Sequence, residues 1–337
     1  MASKLPTRRV GTAQVSAIGY GAMGISSFYG AAQPDEERFK LLDAVYEAGC
    51  TNWDTADAYG DSEELIGKWF QRTGKRGEIF LATKFGAGSP SGKVVDCSPA
   101  YVREALNKSL EKLGVDYIDL YYAHRADPTV PIEHTVGALA ELVKEGKIKF
   151  IGICECNGET LRRANKVHPI SAIQVEYSPF TLDAEDPKIG ALQAARELGV
   201  TVFAYSPLGR GLLTGKYTSP DDFEESDLRR IIPRYSKENF PNVLKVVEEI
   251  KQIGVKRNAS AGQVTLAWLL AQGPDIIPIP GTRSVKYLNE NLGSLNVKLS
   301  PEEVQEVRNI AERADSVLGD RYPAEWSETV YVNTPPL

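Results

Sequence analysis

Hydrophobic positions along the chain follow two rhythms. Short runs rich in β-branched and aromatic residues predict strands at Val15–Gly21, Thr51–Asp54, Ile79–Phe85, Tyr117–His124, Lys149–Glu155, Ala172–Tyr177, Thr201–Ser206 and Asp275–Pro280. Between them, apolar residues recur at the three- and four-residue spacing of amphipathic helices. The clearest helix opens with Ser98 as N-cap and Pro99 at its first position. It carries Val102, Leu106, Leu110 and Leu113 on one face and stops at Gly114. A second is predicted over Thr135–Lys147, with Val136, Leu139 and Val143 on one stripe.

Eight strands alternating with helices imply a parallel sheet, and near-continuous apolar strands imply that helices cover it. Strand starts fall 23 to 38 residues apart up to the seventh, then 74 residues separate the seventh from the eighth. That gap holds a Pro- and charge-rich loop, Leu208–Pro241, and helical stretches at Asn242–Ile253 and Ala261–Ala271. The pattern favours a closed (β/α)8 TIM barrel over an open doubly wound sheet. Val10–Gln14 and Val15–Gly19 are placed as an N-terminal β-hairpin closing its bottom. No linker-like stretch divides the 337 residues, so one domain is expected throughout.

Composition narrows the partners. Lys plus Arg number 39 against 45 Asp plus Glu, a net charge of −6 without a basic tract, which argues against nucleic acid. No apolar run approaches the roughly 20 residues that span a bilayer. The N-terminal MASKLPTRRVG has no signal-like apolar core, and four cysteines without a CxxC suit a reducing, cytoplasmic setting. Three scattered histidines, no HExxH and only Cys154 and Cys156 as neighbouring thiols argue against a metal site.

Gly19-Tyr-Gly21-Ala-Met-Gly24 matches the GxGxxG of dinucleotide-binding folds. That fingerprint needs the glycines to open a helix. Gly30 and Pro34 intervene here, and the helix can begin only near Asp35. The glycines are therefore read as lining a strand end at the barrel mouth. No tyrosine is followed four positions later by Lys, so the short-chain dehydrogenase pattern is absent.

Chemistry in such barrels sits at the C-terminal strand ends. Asp54 ends the second strand with Tyr59 in the following loop, Lys84 ends the third, and His124 ends the fourth. A lone Asp there is commonly an N-cap, and a lone His is commonly a satisfied core residue. A lysine inside Leu-Ala-Thr-Lys-Phe is harder to dismiss, because an unpaired buried ammonium is costly. Asp54 on the neighbouring strand lies at the right level to pair with it.

These residues, within Asn52-Trp-Asp-Thr-Ala-Asp-Ala-Tyr59-Gly, make the chain resemble the aldo-keto reductase superfamily. So do Ile173-Gln-Val-Glu-Tyr177, Ala204-Tyr-Ser-Pro-Leu-Gly-Arg-Gly211 and Ile279-Pro-Gly-Thr-Arg283-Ser. The likeness covers nearly the whole chain and is nearest to the microbial and plant branch. It implies NADPH-dependent reduction of small aldehydes or ketones, with Tyr59 as proton donor and Lys84, held by Asp54, lowering its pKa from ~10. His124 would orient the carbonyl. Tyr205 would stack on the nicotinamide, and Gln174, Cys154 and Glu155 would hold its carboxamide. Ser206, Leu208, Gly209 and Gly211 would meet the pyrophosphate. Thr282, Arg283 and Lys286 would hold the 2′-phosphate, an Arg fork suiting a dianion, and Asn291 the adenine. Gly21, Met23 and Gly281 complete the cofactor set. Phe28, Tyr29, Trp53, Phe85 and Arg125 are expected at the substrate mouth.

Two rival readings remain. Potassium-channel β subunits share the fold, so the chain could be a binding subunit, although no extended segment precedes the first strand here. A class I aldolase would use Lys84 as a Schiff-base lysine, but Asp54 would keep that ammonium protonated. Such a reading leaves Tyr205 and Arg283 without a task.

Overall fold

The computed structural model, which describes residues 5–88 and 93–337, is a TIM barrel. Its strands are β3 (Tyr20–Gly21), β4 (Asn52–Asp54), β5 (Phe80–Phe85), β6 (Ile118–Ala123), β7 (Ile148–Cys154), β8 (Ala172–Glu176), β9 (Thr201–Tyr205) and β10 (Ile276–Pro278). All pair in parallel and in chain order. The ring closes where the amides of Gly19 and Gly21 donate to the carbonyls of Pro278 (2.9 Å) and Pro280 (3.3 Å). The GxGxxG glycines serve this seam. A Cβ on Gly21 would stand 2.6 Å from the Ile279 carbonyl oxygen, and one on Gly19 would lie 2.9 Å from the Ile279 side chain. A single helical turn, Met23–Ser26, follows, and the long helix begins at Asp35 as expected.

The bottom hairpin exists but sits earlier than expected. β1 (Thr7–Val10) pairs antiparallel with β2 (Ala13–Ser16) around Gly11, whose φ of +56° is the left-handed conformation a tight turn requires. The long first strand at Val15–Gly21 therefore divides: Val15 and Ser16 belong to the hairpin, and only Tyr20 and Gly21 join the barrel. Val10 and Val15 plug the barrel floor beneath Ala82, Leu120, Tyr122, Cys154, Ala172, Phe203 and Ile277, the inward side chains of successive strands.

Two helix expectations need adjusting. Ser98 precedes the Pro99–Leu113 helix, but its hydroxyl donates to Asp96 Oδ1 (2.7 Å) and does not cap. The helix expected at Thr135–Lys147 runs from Ile132 to Lys144, because Pro131 starts it and Gly146, at φ +71°, turns the chain toward β7. The long loop after β9 folds as short 3₁₀ turns. The next helix spans Phe240–Arg257, wider than Asn242–Ile253, while Ala261–Ala271 stands as expected.

Candidate active site

The pleat decides which residues reach the barrel mouth. Asn52 and Asp54 on β4 face inward, and so do Ala82 and Lys84 on β5. Their neighbours Trp53 and Phe85 face out, wholly buried against the helices. Trp53 packs on Trp69 and donates its indole N–H to the Cys50 carbonyl, and Phe85 stacks on Tyr121. Neither lines the substrate mouth, which corrects that expectation. Residues next to an inward-facing residue on a strand point the other way.

Lys84 Nζ donates to Asp54 Oδ1 at 2.5 Å and to the Thr55 carbonyl at 2.8 Å, and lies 3.3 Å from the Tyr59 hydroxyl. That hydroxyl is 3.5 Å from His124 Nε2. Asp54 Oδ2 accepts from the Gln174 amide at 2.8 Å, so both of its oxygens are engaged. Four ionisable groups from three adjacent strands and one loop thus meet around a single phenolic oxygen.

Burial would push the Lys84 ammonium down, but the negative charge of Asp54 and the Tyr59 phenol outweigh it and hold it above its usual range. Burial pushes Tyr59 up, and Lys84 pulls it only part of the way back. This reverses the expected direction: the phenol lies in a site dry enough for desolvation to exceed the pull of one neighbouring cation. Burial, then Lys84, then Arg125 drive the His124 imidazole well below its usual value, so it is neutral near pH 7.

A cleft of about 720 Å³ opens above this cluster, within the roughly 300–1,000 Å³ of ligand sites. It brings together most of the expected cofactor set: Gly21, Met23, Gln174, Tyr205, Ser206, Leu208, Gly211, Gly281, Thr282, Arg283 and Asn291, with Tyr29 from the substrate set. Phe28 and Arg125 are not among its lining residues: Phe28 sets its ring edge-on to Tyr59 at 6.2 Å, and Arg125 follows His124 at the end of β6.

Four expected cofactor residues do not line the cleft. Cys154 faces the barrel interior, its thiol pushed up to about 12 by burial. The Glu155 carboxylate is committed to Arg321 at 2.7 Å and to the backbone amide of Glu176 at 2.9 Å. Gly209 is packed under Phe180, where a Cβ would come within 2.5 Å of the ring. Lys286 projects from the exposed side of the Val285–Gly293 helix.

Sequence reasoning missed the roof. Arg229 pairs with Asp227 at 2.6 Å, donates to the Arg210 carbonyl, and lies over the rings of Tyr29, Tyr217 and Phe223. Arg210 faces Glu176 at 3.4 Å, and Tyr322 joins its hydroxyl to that of Tyr205 at 2.9 Å. Only the Gly-Arg-Gly of residues 209–211 signalled a basic residue held in a constrained loop. Arg210 there has φ +55°, beside Ser206 at +46° and Glu155 at +50°.

The comparisons with known proteins agree with one another. The model of the Aldo/keto reductase family matches residues 17–312. The chain is 62% identical over 322 residues to "Aldo-keto reductase str7" of Strobilurus tenacellus, covering 94% of this chain and 95% of that one. It is 50% identical over 338 residues to "Aldo-keto reductase yakc [NADP(+)]" of Schizosaccharomyces pombe, covering 99% of each. Among solved structures, the glycerol dehydrogenase AKR11B4 of Gluconobacter oxydans superposes with TM-score 0.80 at 27% identity, over 98% of both chains. The thermostable aldo-keto reductase Tm1743, solved with the inhibitor epalrestat, superposes with TM-score 0.73 at 30% identity, over 91% of this chain and 100% of that one. A whole-length match at this identity, on a barrel whose strand ends assemble Asp54, Tyr59, Lys84 and His124, places the chain in the aldo/keto reductase family.

Proposed function

We propose that the protein is an NADPH-dependent reductase of small aldehydes or ketones. The observation that carries this reading is the Tyr59 hydroxyl, set between Lys84 and His124 at the floor of the cleft. NADPH, when bound, supplies the hydride that adds to the carbonyl carbon. The chain supplies the rest. Tyr59 gives its proton to the carbonyl oxygen, and Lys84 stabilises the phenolate left behind. Asp54 keeps Lys84 charged, and neutral His124 donates a hydrogen bond that orients the carbonyl. A phenol raised by burial stays protonated at neutral pH, the form that reduction requires.

The cleft suits such a cofactor in shape and chemistry. Tyr205 presents a flat ring beside the amide of Gln174. Ser206 and the backbone around Gly211 and Gly281 suit a pyrophosphate, and Thr282, Arg283 and Asn291 suit the adenosine end. A relative whose own name carries NADP(+) supports the choice of dinucleotide. The binding-subunit reading is weaker, because relatives 50–62% identical over nearly the whole chain carry the names of aldo-keto reductases. The aldolase reading is weaker still, because Asp54 holds Lys84 protonated and poorly nucleophilic.

NADPH oxidation across a panel of aromatic, aliphatic and pyridoxal-like aldehydes, comparing wild type with Tyr59→Phe, tests the proposal. The variant is expected to lose about 10²- to 10⁴-fold in turnover, the range for a general acid, while its NADPH affinity stays unchanged. Turnover above a tenth of wild type would take the role from Tyr59.

A further inference from the structure

Several buried cations around the barrel mouth have a carboxylate partner, while Arg234 and Arg283 are held by backbone carbonyls. Lys84 has Asp54, Arg210 has Glu176, Arg229 has Asp227 and Arg321 has Glu155. Arg125 has none within ion-pair distance among the described residues. It directly follows His124 at the end of β6 and is half-buried, and its side chain makes one hydrogen bond, from a terminal guanidinium nitrogen to the His124 carbonyl at 2.8 Å. Its own backbone is fixed by the Cys97 thiol, which donates to its carbonyl at 3.2 Å.

The groups that act electrostatically on Arg125 are the phenols of Tyr205 and Tyr322, the Glu155 carboxylate and the Cys154 thiol, and Arg125 in turn acts on His124. The two phenols are bonded to each other. Glu155 is occupied by Arg321 and a backbone amide. The carboxylate of Asp127, next along the loop, accepts from the Cys97 amide, the Thr129 amide and the Thr129 hydroxyl. A guanidinium with most of its five donors uncommitted therefore stands one residue from the imidazole that meets the carbonyl. Leaving a desolvated charge unpaired is costly unless a ligand supplies the counter-charge.

We propose that Arg125 is a specificity-determining residue that receives a carboxylate carried by the carbonyl substrate. The preferred substrates are then aldehydes or ketones bearing a carboxylate a few atoms from the reacting carbon. The planar fork of Arg matches that group. This rests on the reductase reading and adds the substrate's charge to it.

Two probes of one shape separate the two claims: 4-carboxybenzaldehyde and methyl 4-formylbenzoate, each reduced with NADPH by wild type, Arg125→Met and Arg125→Lys. Turnover of the neutral ester by wild type carries the reductase reading alone. The acid-to-ester ratio of kcat/KM carries the Arg125 reading. Wild type is expected to favour the acid, with Arg125→Met losing about 10- to 150-fold on the acid, the range for a hydrogen bond to a charged group. Ester turnover should stay within a few-fold, Arg125→Lys should restore part of the preference, and added salt should erode it. A wild-type ratio at or below one overturns the inference, as does a ratio that Arg125→Met leaves unchanged. Weaker NADPH binding in Arg125→Met with an unaltered ratio would assign the guanidinium to the cofactor and equally end the proposal. No turnover of either probe by wild type would strike the reductase reading and this one with it.

Discussion

The two walls of the cleft are built on opposite plans. The wall bearing Asp54, Tyr59, Lys84 and His124 comes from three neighbouring strands and the short loop after β4, and sheet register sets the places of Asp54, Lys84 and His124. The opposite wall is assembled from loops: the segment after β9, the roof around Arg229, and the tail carrying Arg321 and Tyr322. There, cations hold together pieces far apart in sequence, such as Arg321 and Glu155, 166 residues apart. Left-handed backbone at Glu155, Ser206 and Arg210 also falls on that side. Such residues cost about 1–3 kcal/mol each and persist only where their surroundings over-determine them. A pleated wall inherits its precision. A looped wall must be clamped into shape, and its clamps are charged.

If that contrast is right, the largest loss of stability follows removal of the clamp. Arg321 serves Glu155, Glu176 and Asp183 together. Burial alone would push Glu155 up, but Arg321 and Arg125 reverse this and keep its carboxylate low and ionised. Arg321→Met leaves that charge buried with its main partner gone, and the expected cost is about 3–5 kcal/mol in urea unfolding. Adding Glu155→Gln should recover much of it, because the stranded charge is then removed. A loss below about 1 kcal/mol, within the range of a surface ion pair, would show that the tail is not a clamp.

Legibility divides along the same line. The barrel, its strand order and the placing of Asp54, Lys84 and His124 at adjacent strand ends were readable from the alternation of strands and helices, while Tyr59, in a loop, was reached through the family resemblance. The alternation of faces along a strand, applied one residue further, would have sent Trp53 and Phe85 outward. Arg229, Arg321 and Tyr322 left no such trace, because aperiodic loop residues acquire partners only through tertiary contact. Glu155 was placed against the nicotinamide for the same reason: its true partner lies near the end of the chain. The direction of the Tyr59 shift was missed because sequence shows a neighbouring charge more readily than it shows dryness.

Arg283 sharpens the contrast from inside the looped wall. Its guanidinium donates to the carbonyls of Tyr29 and Ala31, both at 2.6 Å, and so already ties the segment after β3 to the loop after β10. Those bonds leave donors free for a 2′-phosphate. Arg283→Ala is expected to raise the Kd for NADPH by about 10- to 150-fold while barely changing that for NADH, equivalent to about 1.5–3 kcal/mol. Titrations at fixed ionic strength check this, since salt screens an exposed pair. Equal weakening of both cofactors would make Arg283 a clamp only, in line with the rest of its wall.

The smallest effect belongs to the pleated wall, at Asp57, whose amide donates to the Lys84 carbonyl at 3.1 Å. Burial first, then the nearby Glu63 carboxylate, raises the Asp57 carboxyl to about 7, and Oδ1 has no hydrogen-bond partner among the described residues. The folded protein therefore binds more protons at this site than the unfolded chain between about pH 4 and pH 7. Its contribution to stability is full below that window and is lost as pH rises through 7. Asp57→Asn is uncharged at every pH and should flatten that decline. Relative to wild type it is expected to gain about 1–2 kcal/mol on going from pH 6 to pH 8, within the limit of about 1.4 kcal/mol per pH unit for one proton. Thermal melts of both proteins across that range decide the matter. Parallel curves would mean that Asp57 ionises freely, and that the loop carrying Tyr59 is wetter than the strands on either side of it.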